Sequence, residues 1–161
     1  MSYITVTNIT IANPVAALKS PIGVAVRFEC LKQLNCVVEW KAVFVDNPDN
    51  PEFDQTLDTI QMEGVDYGVS EFDWEIDAPD YTKLESEFDV FDTSVIMILV
   101  YAGGQEFFRC SYLTTHVYTN PAYEEEPPDS VRWNELERRI NTKKPIIAVS
   151  DVDWKSVDKS N

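Results

Sequence analysis

The sequence is poor in the residues from which catalytic and metal sites are most often built. It has one histidine and three cysteines among 161 residues. A structural zinc site uses about four closely spaced Cys and His ligands, and a Ser-His-Asp triad would depend on His116 alone. The five glycines form neither a P-loop nor a Gly-x-Gly-x-x-Gly motif, and no Gly-x-Ser-x-Gly motif occurs. We therefore expect a binding protein, not an enzyme, with no catalytic residue, cofactor or metal.

Long hydrophobic runs and a leader pattern are also missing. No run of about 18 apolar residues occurs, which excludes a transmembrane helix. The first residues lack the basic and apolar regions of a secretory signal. Cys30, Cys36 and Cys110 form no CxxC pair, and their odd number suits buried thiols in a reducing compartment. We therefore expect an intracellular protein with no membrane partner.

Basic residues are few, and the excess of acidic over basic residues is confined to one part of the chain. The chain has 13 Lys and Arg against 28 Asp and Glu, a formal net charge of −15. Residues 45–92 contain sixteen acids and one base, Lys83, and so carry a charge equal to the whole excess. Such a surface repels nucleic-acid phosphates and attracts a cationic protein. A solvated acidic surface that only maintains solubility is the simpler alternative.

The apolar residues follow a period of two along most of the chain. Residues 24–30, 38–44 and 72–76 alternate between apolar and polar or small side chains, a pattern typical of half-buried strands. Residues 95–100 are continuously apolar and predict a central strand. Gly103-Gly104 separates this run from the next one and predicts a hairpin turn.

About eight or nine such strands, with turn residues between them, predict an all-β fold, an immunoglobulin-like β-sandwich. The apolar residues change from even-numbered to odd-numbered positions near Asn8, which predicts a β-bulge. One short helix near the C-terminus is expected over residues 129–139, followed by a last strand over 145–149. We expect one domain over residues 1–154 and a frayed polar tail over 155–161.

One face of the central strand has the composition of a binding surface. Val95 and Met97 share a parity, and Asp89 lies at the entry to the strand. Arg109 on the following strand is an unusual neighbour for apolar residues. It is either neutralised by a salt bridge or anchors a partner on a concave face. Asp54 could pair with Arg109 or with a basic group of the partner.

Seven short motifs occur in order along the chain: Phe28-Glu29-Cys30, Glu39-Trp40-Lys41, Asp54-Gln55-x-Leu57-Asp58, Asp77-Ala78-Pro79, Gly104-Gln105-Glu106-Phe107-x-Arg109, Pro127-Pro128, and the ending from Pro145 to Trp154. Together they resemble the anti-silencing function family of histone chaperones, over about residues 6–154. The resemblance implies a monomeric immunoglobulin-like sandwich that binds one histone H3–H4 dimer and blocks H3–H4 tetramer formation.

The resemblance also implies the binding residues. Contacts to H3 are expected from a patch centred on a strand valine and its neighbours: Val45, Asp54, Asp89, Thr93, Val95, Met97, Arg109 and Leu113. The C-terminal tail of H4 is expected to add a strand at an exposed edge formed by Pro145, Ile146 and Ile147. A second groove for peptides of downstream chaperones is expected on the opposite face, at Cys36, Val37, Ile60, Met62 and Phe72.

Four of these positions depart from the family pattern. Leu113 replaces a tyrosine and Ile146 replaces an arginine, so polar contacts to the histones are lost. Cys36 and Val37 replace two consecutive acids, which puts recognition of the usual basic peptide in doubt. The chain therefore resembles a divergent member of the family.

The resulting expectation is a nuclear histone chaperone, with a cytoplasmic pool, that hands H3–H4 over for nucleosome assembly and disassembly. The alternative is an immunoglobulin-like adaptor for a non-histone peptide or a lipidated partner. Such an adaptor would show only weak, salt-sensitive attraction to histones. A hydrolase that uses Asp89 or Asp54 is a third class, and no sequence motif supports it.

Overall fold

The computed structural model describes residues 2–158 as two β-sheets that pack face to face. The ten strands of this range are β1 (Ile4–Ile11), β2 (Val15–Ala17), β3 (Ile22–Cys30), β4 (Leu34–Val45), β5 (Gln55–Val65), β6 (Gly68–Ile76), β7 (Ser94–Ala102), β8 (Gln105–Tyr118), β9 (Leu136–Ile140) and β10 (Ile146–Val149). The only α-helix of the same range is α1 (Trp154–Val157). Within it, no helix is both long and apolar enough to cross a membrane.

Every strand pairing found within residues 2–158 is antiparallel. The smaller sheet has the order β1-β3-β6, and the larger sheet has the order β2-β9-β8-β7-β4-β5. Strand β8 is long enough to pair with two strands along one edge. Its residues Thr114 to Tyr118 pair with β9, and Phe108 to Ser111 pair with β10.

Aromatic side chains fill the space between the two sheets. Trp40 on β4 is fully buried and lies 5.5 Å from Phe28 of β3, measured between ring centroids. Phe72 of β6 contacts the same indole at 5.1 Å. The Trp74 indole N–H donates to Asp58 Oδ2 at 2.8 Å, so this buried polar group has a partner. The apolar side chains of the alternating strands therefore point into one core that the two sheets share.

The predicted all-β sandwich with one short helix near the C-terminus is confirmed. The central strand, the bulge near Asn8 and the hairpin turn are also present. Gly103 and Gly104 have φ values of 55° and 82°, the left-handed conformations that a two-residue hairpin turn requires. All three cysteines are free and buried, as expected.

The helix predicted over residues 129–139 was wrong in position. A single 3-10 turn (Trp133–Glu135) leads directly into β9, which pairs with β8. Leu136 and Ile140 are four residues apart, and this spacing fits one face of a helix and one face of a strand equally well. Pairing with the long strand β8 decides between them.

The frayed tail expected over residues 155–161 was wrong for its first four residues. Trp154 starts α1, and its ring packs on Phe107 with centroids 5.2 Å apart. Asp158 is buried, and its Oδ1 accepts a hydrogen bond from the Asn35 N–H at 3.1 Å. The packed structure thus extends to residue 158, whereas residues 159–161 lie outside the described range.

Candidate functional site

The outward face of the larger sheet carries an apolar patch that the smaller sheet does not cover. We call it the outer patch, and its members lie on β4 and β7: Val43, Val45, Val95, Met97, Leu99 and Tyr101. The register places Val45 opposite Val95 and Val43 opposite Met97, so alternate residues of both strands point outward together. An uncovered face of an antiparallel sheet is normally polar. A contiguous apolar area there is typical of an interaction site.

The structure brings several predicted H3-binding residues together on this patch. Val95 is half-buried, and across the β7–β8 pairing it lies opposite Leu113, which is 43% exposed. Met97 lies opposite Ser111 in the same pairing. These side chains stand on adjacent strands with the same parity. They form the continuous surface that the sequence predicted for Val45, Val95 and Met97.

The Arg109 side chain lies at the edge of the outer patch, opposite Leu99. Its Nη2 donates to Glu106 Oε1 at 2.8 Å. Arg109 therefore pairs with Glu106 and not with Asp54, so the first of the two partners suggested for Asp54 is wrong, whereas the second, a basic group of the binding partner, stays a prediction. The Arg109 side chain remains 43% exposed, so a partner can still contact it.

Acidic side chains lie at the end of the patch where β4 finishes and β7 begins. Asp54 directly precedes Gln55, the residue that pairs with Phe44, and burial raises the pKa of its carboxyl. Asp89 lies on a 3-10 turn (Glu87–Phe91), and its Oδ2 accepts from the Ser86 N–H at 3.1 Å. Thr93 is exposed and immediately precedes β7.

Asp46 is a buried acid at this end that the sequence analysis missed. It is only 5% exposed, and burial raises its pKa to about 6, with Asp89 and Asp92 adding to the rise. The nearby Ser94 hydroxyl opposes the rise without forming a hydrogen bond of good geometry. The sequence feature that could have identified Asp46 is its place directly after the apolar residues at the end of β4. The burial depends on loops from elsewhere in the chain.

The predicted H4-binding residues lie on or next to an exposed edge strand. Ile146 and Ile147 of β10 pair with Ser111 and Cys110 of β8 and are 60% and 57% exposed. Among residues 2–158, β10 pairs with no other strand. Its outer edge therefore offers unpaired backbone groups to an added strand. Pro145 precedes this strand and is half-buried.

Ile60 and Met62 on β5 and Phe72 on β6, which were predicted to line a second groove, contribute a partly exposed apolar surface, and the groove itself stays a prediction. Ile60, Met62 and Phe72 are partly buried and pack against the core. Val37 lies opposite Glu63, next to Met62, and is 44% exposed, whereas Cys36 is buried. Cys36 therefore presents no side chain to a peptide, and Val37 extends the apolar surface.

The single histidine lies inside the sandwich and away from the outer patch. His116 is 2% exposed, and its Nε2 lies 2.8 Å from the Tyr81 hydroxyl. Burial, assisted by the charge of Arg138, lowers the pKa of His116 to about 4. The ring is uncharged at neutral pH and acts as a packed part of the core.

Comparison with known proteins identifies the family of this chain. The family model described as ASF1 like histone chaperone matches residues 1–155. The histone chaperone asf1 of Dictyostelium discoideum is 28% identical over 154 residues, covering 96% of this chain and 99% of its own. The probable histone chaperone ASF1A of Arabidopsis thaliana and the human histone chaperone ASF1B are each 30% identical, covering 96% of this chain and 78% and 76% of their own.

One solved structure, red sea bream transglutaminase, aligns over 72% of this chain and 20% of its own, with 11% identity and a TM-score of 0.35. This likeness is too distant to inform fold or function. The family match covers nearly the whole chain, including both strands of the outer patch. The chain belongs to the ASF1-like histone chaperone family.

Proposed function

We propose that this chaperone binds one H3–H4 dimer through the outer patch and thereby blocks H3–H4 tetramer formation. The observation that carries the proposal is the uncovered apolar surface around Val95 in a chain of this family. Val95 and Met97 supply an apolar centre that a partner helix can desolvate. Protein interfaces concentrate their binding free energy in such a centre, surrounded by a polar rim.

The rim gives the surface its preference for a basic partner. Asp54 and Asp89 lie at one end of the outer patch, and the chain carries a net charge of −15. Histones are strongly cationic, so these carboxylates accelerate the encounter and orient the dimer. Arg109, held by Glu106, contributes a fixed donor at the β8 side.

The proposed contact with the H4 tail uses β10. An extended tail segment pairs with the free edge of this strand, and the exposed Ile146 and Ile147 side chains add apolar contact. Because β10 and the outer patch both adjoin β8, one H3–H4 dimer reaches both sites.

The cellular role follows from sequestration of the histones. The protein acts as a monomer without catalysis and without direct nucleic-acid contact. It hands H3–H4 over for nucleosome assembly and disassembly in the nucleus, and a cytoplasmic pool accompanies newly made histones. The groove of Ile60, Met62 and Phe72 is a docking site for peptides of downstream chaperones, with weaker selection for basic residues than two acids at positions 36 and 37 would give.

The test is a pull-down of purified H3–H4 at roughly 0.5 M salt, where long-range attraction is screened. Val95→Arg places a charge at the centre of the outer patch and should abolish binding. Val69→Arg is the matched control, because Val69 is 53% exposed and lies on the smaller sheet. Retention of binding by Val95→Arg would contradict the proposal. Binding of wild type that disappears at this salt would favour the non-histone adaptor.

A further inference from the structure

The larger sheet ends at β2, whose outer edge carries backbone groups without a partner in the described part of the chain. There, β2 pairs only with β9. The Ile140 N–H donates to the Pro14 carbonyl at 2.7 Å, and hydrogen-bonded residues alternate along an antiparallel pair. Val15 and Ala17 therefore turn their backbone groups away from β9. The Ala17 carbonyl accepts from the Ser20 N–H at 3.1 Å, which leaves both groups of Val15 and the Ala17 N–H at the free edge.

A cavity of about 500 Å³ opens directly after this strand. Its walls are mainly apolar and are formed largely by Leu18, Tyr81, Leu84, Trp133 and Leu136. The rings of Tyr81 and Trp133 lie 6.1 Å apart between centroids, and the Tyr81 hydroxyl lies 2.8 Å from Nε2 of the buried His116. The cavity is therefore preformed, and its volume and aromatic lining are those of a ligand pocket.

The free edge and the cavity are placed to act on one extended segment. Leu18 directly follows β2, and the register of the β2–β9 pair, continued by one residue, sets it opposite Leu136. Both side chains are buried. A strand added along Val15–Ala17 has alternate side chains on the side of the sheet that carries Leu18, and one of them can enter the cavity. Strand addition takes affinity from backbone hydrogen bonds and specificity from such a pocket.

The charges beside the cavity indicate the chemistry of this segment. Lys19 lines the cavity, and Arg132 immediately precedes the wall residue Trp133. Both cations are exposed, and neither takes part in an ion pair found among the described residues. Of the two carboxylates that also line the cavity, Asp80 and Glu87, the first already accepts two hydrogen bonds within its own turn. Because exposed charges are screened beyond roughly 8–10 Å, these two cations favour acidic residues here despite the net charge of −15.

We propose that β2 and this cavity form a docking site for an extended acidic peptide of a partner protein. The peptide adds a strand to the free edge of β2 and inserts one aromatic side chain into the cavity. The described residues that line the cavity include none from the outer patch or from β10. The site is therefore separate from the proposed histone contacts, and it takes a partner of opposite charge.

The test uses a synthetic peptide with capped ends, Thr-Val-Glu-Trp-Glu-Val-Thr. Its sequence reads the same in both directions and so serves parallel and antiparallel addition. NMR titration of the isotope-labelled full chain should give a dissociation constant below about 1 mM, with the largest amide shifts at Val15, Ala17 and Leu18. Alanine in place of tryptophan should weaken binding at least about tenfold, and lysine in place of both glutamates about fivefold.

Two variants of the protein test the edge and the cation separately. Ala17→Pro removes one free N–H at an edge position that tolerates proline and should weaken binding about fivefold. Lys19→Glu should weaken it about threefold, whereas Lys144→Glu, which changes the net charge equally at an exposed position away from the cavity, should change it less than about 1.5-fold. Should Ala17→Pro not fold, Lys19→Glu and the two altered peptides still decide the question.

Three results would overturn the docking site. The first is no binding by the wild type at about 1 mM peptide. The second is equal binding of the tryptophan and alanine peptides, because the cavity would then hold no side chain. The third is a set of amide shifts confined to β10, because the peptide would then use another edge of the sheet.

Discussion

The two sheets of this protein each turn one face away from the core, and the two faces differ sharply. The smaller sheet exposes mainly polar and acidic side chains there, such as Arg27, Glu71 and Asp73. The larger sheet instead gathers Val43 and Leu99, both buried, in a small apolar cluster on its outward face. Both faces lie on the same sandwich, so fold alone does not explain the difference. The apolar face is the one that the proposed binding function requires.

The largest expected difference between the two faces is in stability. Leu99 is 4% exposed beneath the outer patch, whereas Val69 on the smaller sheet is 53% exposed. Leu99→Ala leaves a cavity and should lower the free energy of unfolding by about 2–4 kcal/mol, whereas Val69→Ala should change it by less than about 0.5 kcal/mol. Urea unfolding of both variants measures this. Equal losses would remove the distinction between the faces.

The pH dependence of stability gives a smaller effect. The folded state raises the pKa of Asp46 from 3.8 to about 6, so ionisation of this carboxyl destabilises the folded protein. Its destabilising contribution therefore grows from about pH 4 to about pH 6 and then stays constant. Asp46→Asn should be more stable than wild type by about 1–3 kcal/mol at pH 7 and by little at pH 4.

Thermal or urea unfolding of wild type and Asp46→Asn at matched pH values gives this difference directly. His116 titrates in both proteins, so its contribution cancels. A stability difference that stays constant between pH 4 and pH 7 would contradict the buried, charged environment of Asp46. It would also remove the contrast between this carboxyl and the solvated acids of the smaller sheet.

The smallest expected effect concerns the edge of the outer patch. Leu113 is 43% exposed opposite Val95, at a position where the resemblance to the family implies a tyrosine. Leu113→Tyr keeps the apolar contact and adds a hydroxyl donor, so it should strengthen H3–H4 binding about three- to tenfold. Calorimetry with purified H3–H4 measures the change. Weaker binding by this variant would show that the patch meets its partner differently at β8.

Much of the outer patch was predictable because strand parity is a local property. Val95 and Met97 lie in a continuous apolar run, and their shared parity placed them on one face. Counting alternate positions beyond Met97 would also have assigned Leu99 and Tyr101 to this face. The tertiary partner of Arg109 was not predictable, because residues three apart on a regular strand point to opposite faces. The pairing with Glu106 accompanies a register shift between Val100 and Tyr101.

Other features depended on contacts between distant parts of the chain. The spacing of Leu136 and Ile140 fits two secondary structures, and only pairing with β8 selects the strand. The burial of Asp46 depends on residues some forty positions later. The polar composition after residue 154 concealed the packing of α1 on Phe107. In each case the sequence contains the residues, and the deciding interaction is long-range.

The most direct measurement is carboxyl footprinting by mass spectrometry of the protein alone and bound to H3–H4. Acids lie near both outward faces, so one experiment compares the two. The account predicts that Asp54 and Asp89 lose reactivity in the complex, whereas Asp73 and Glu75 on the smaller sheet keep theirs. Protection of Asp73 and Glu75 with unchanged Asp54 and Asp89 would contradict it and place the histones on the other face.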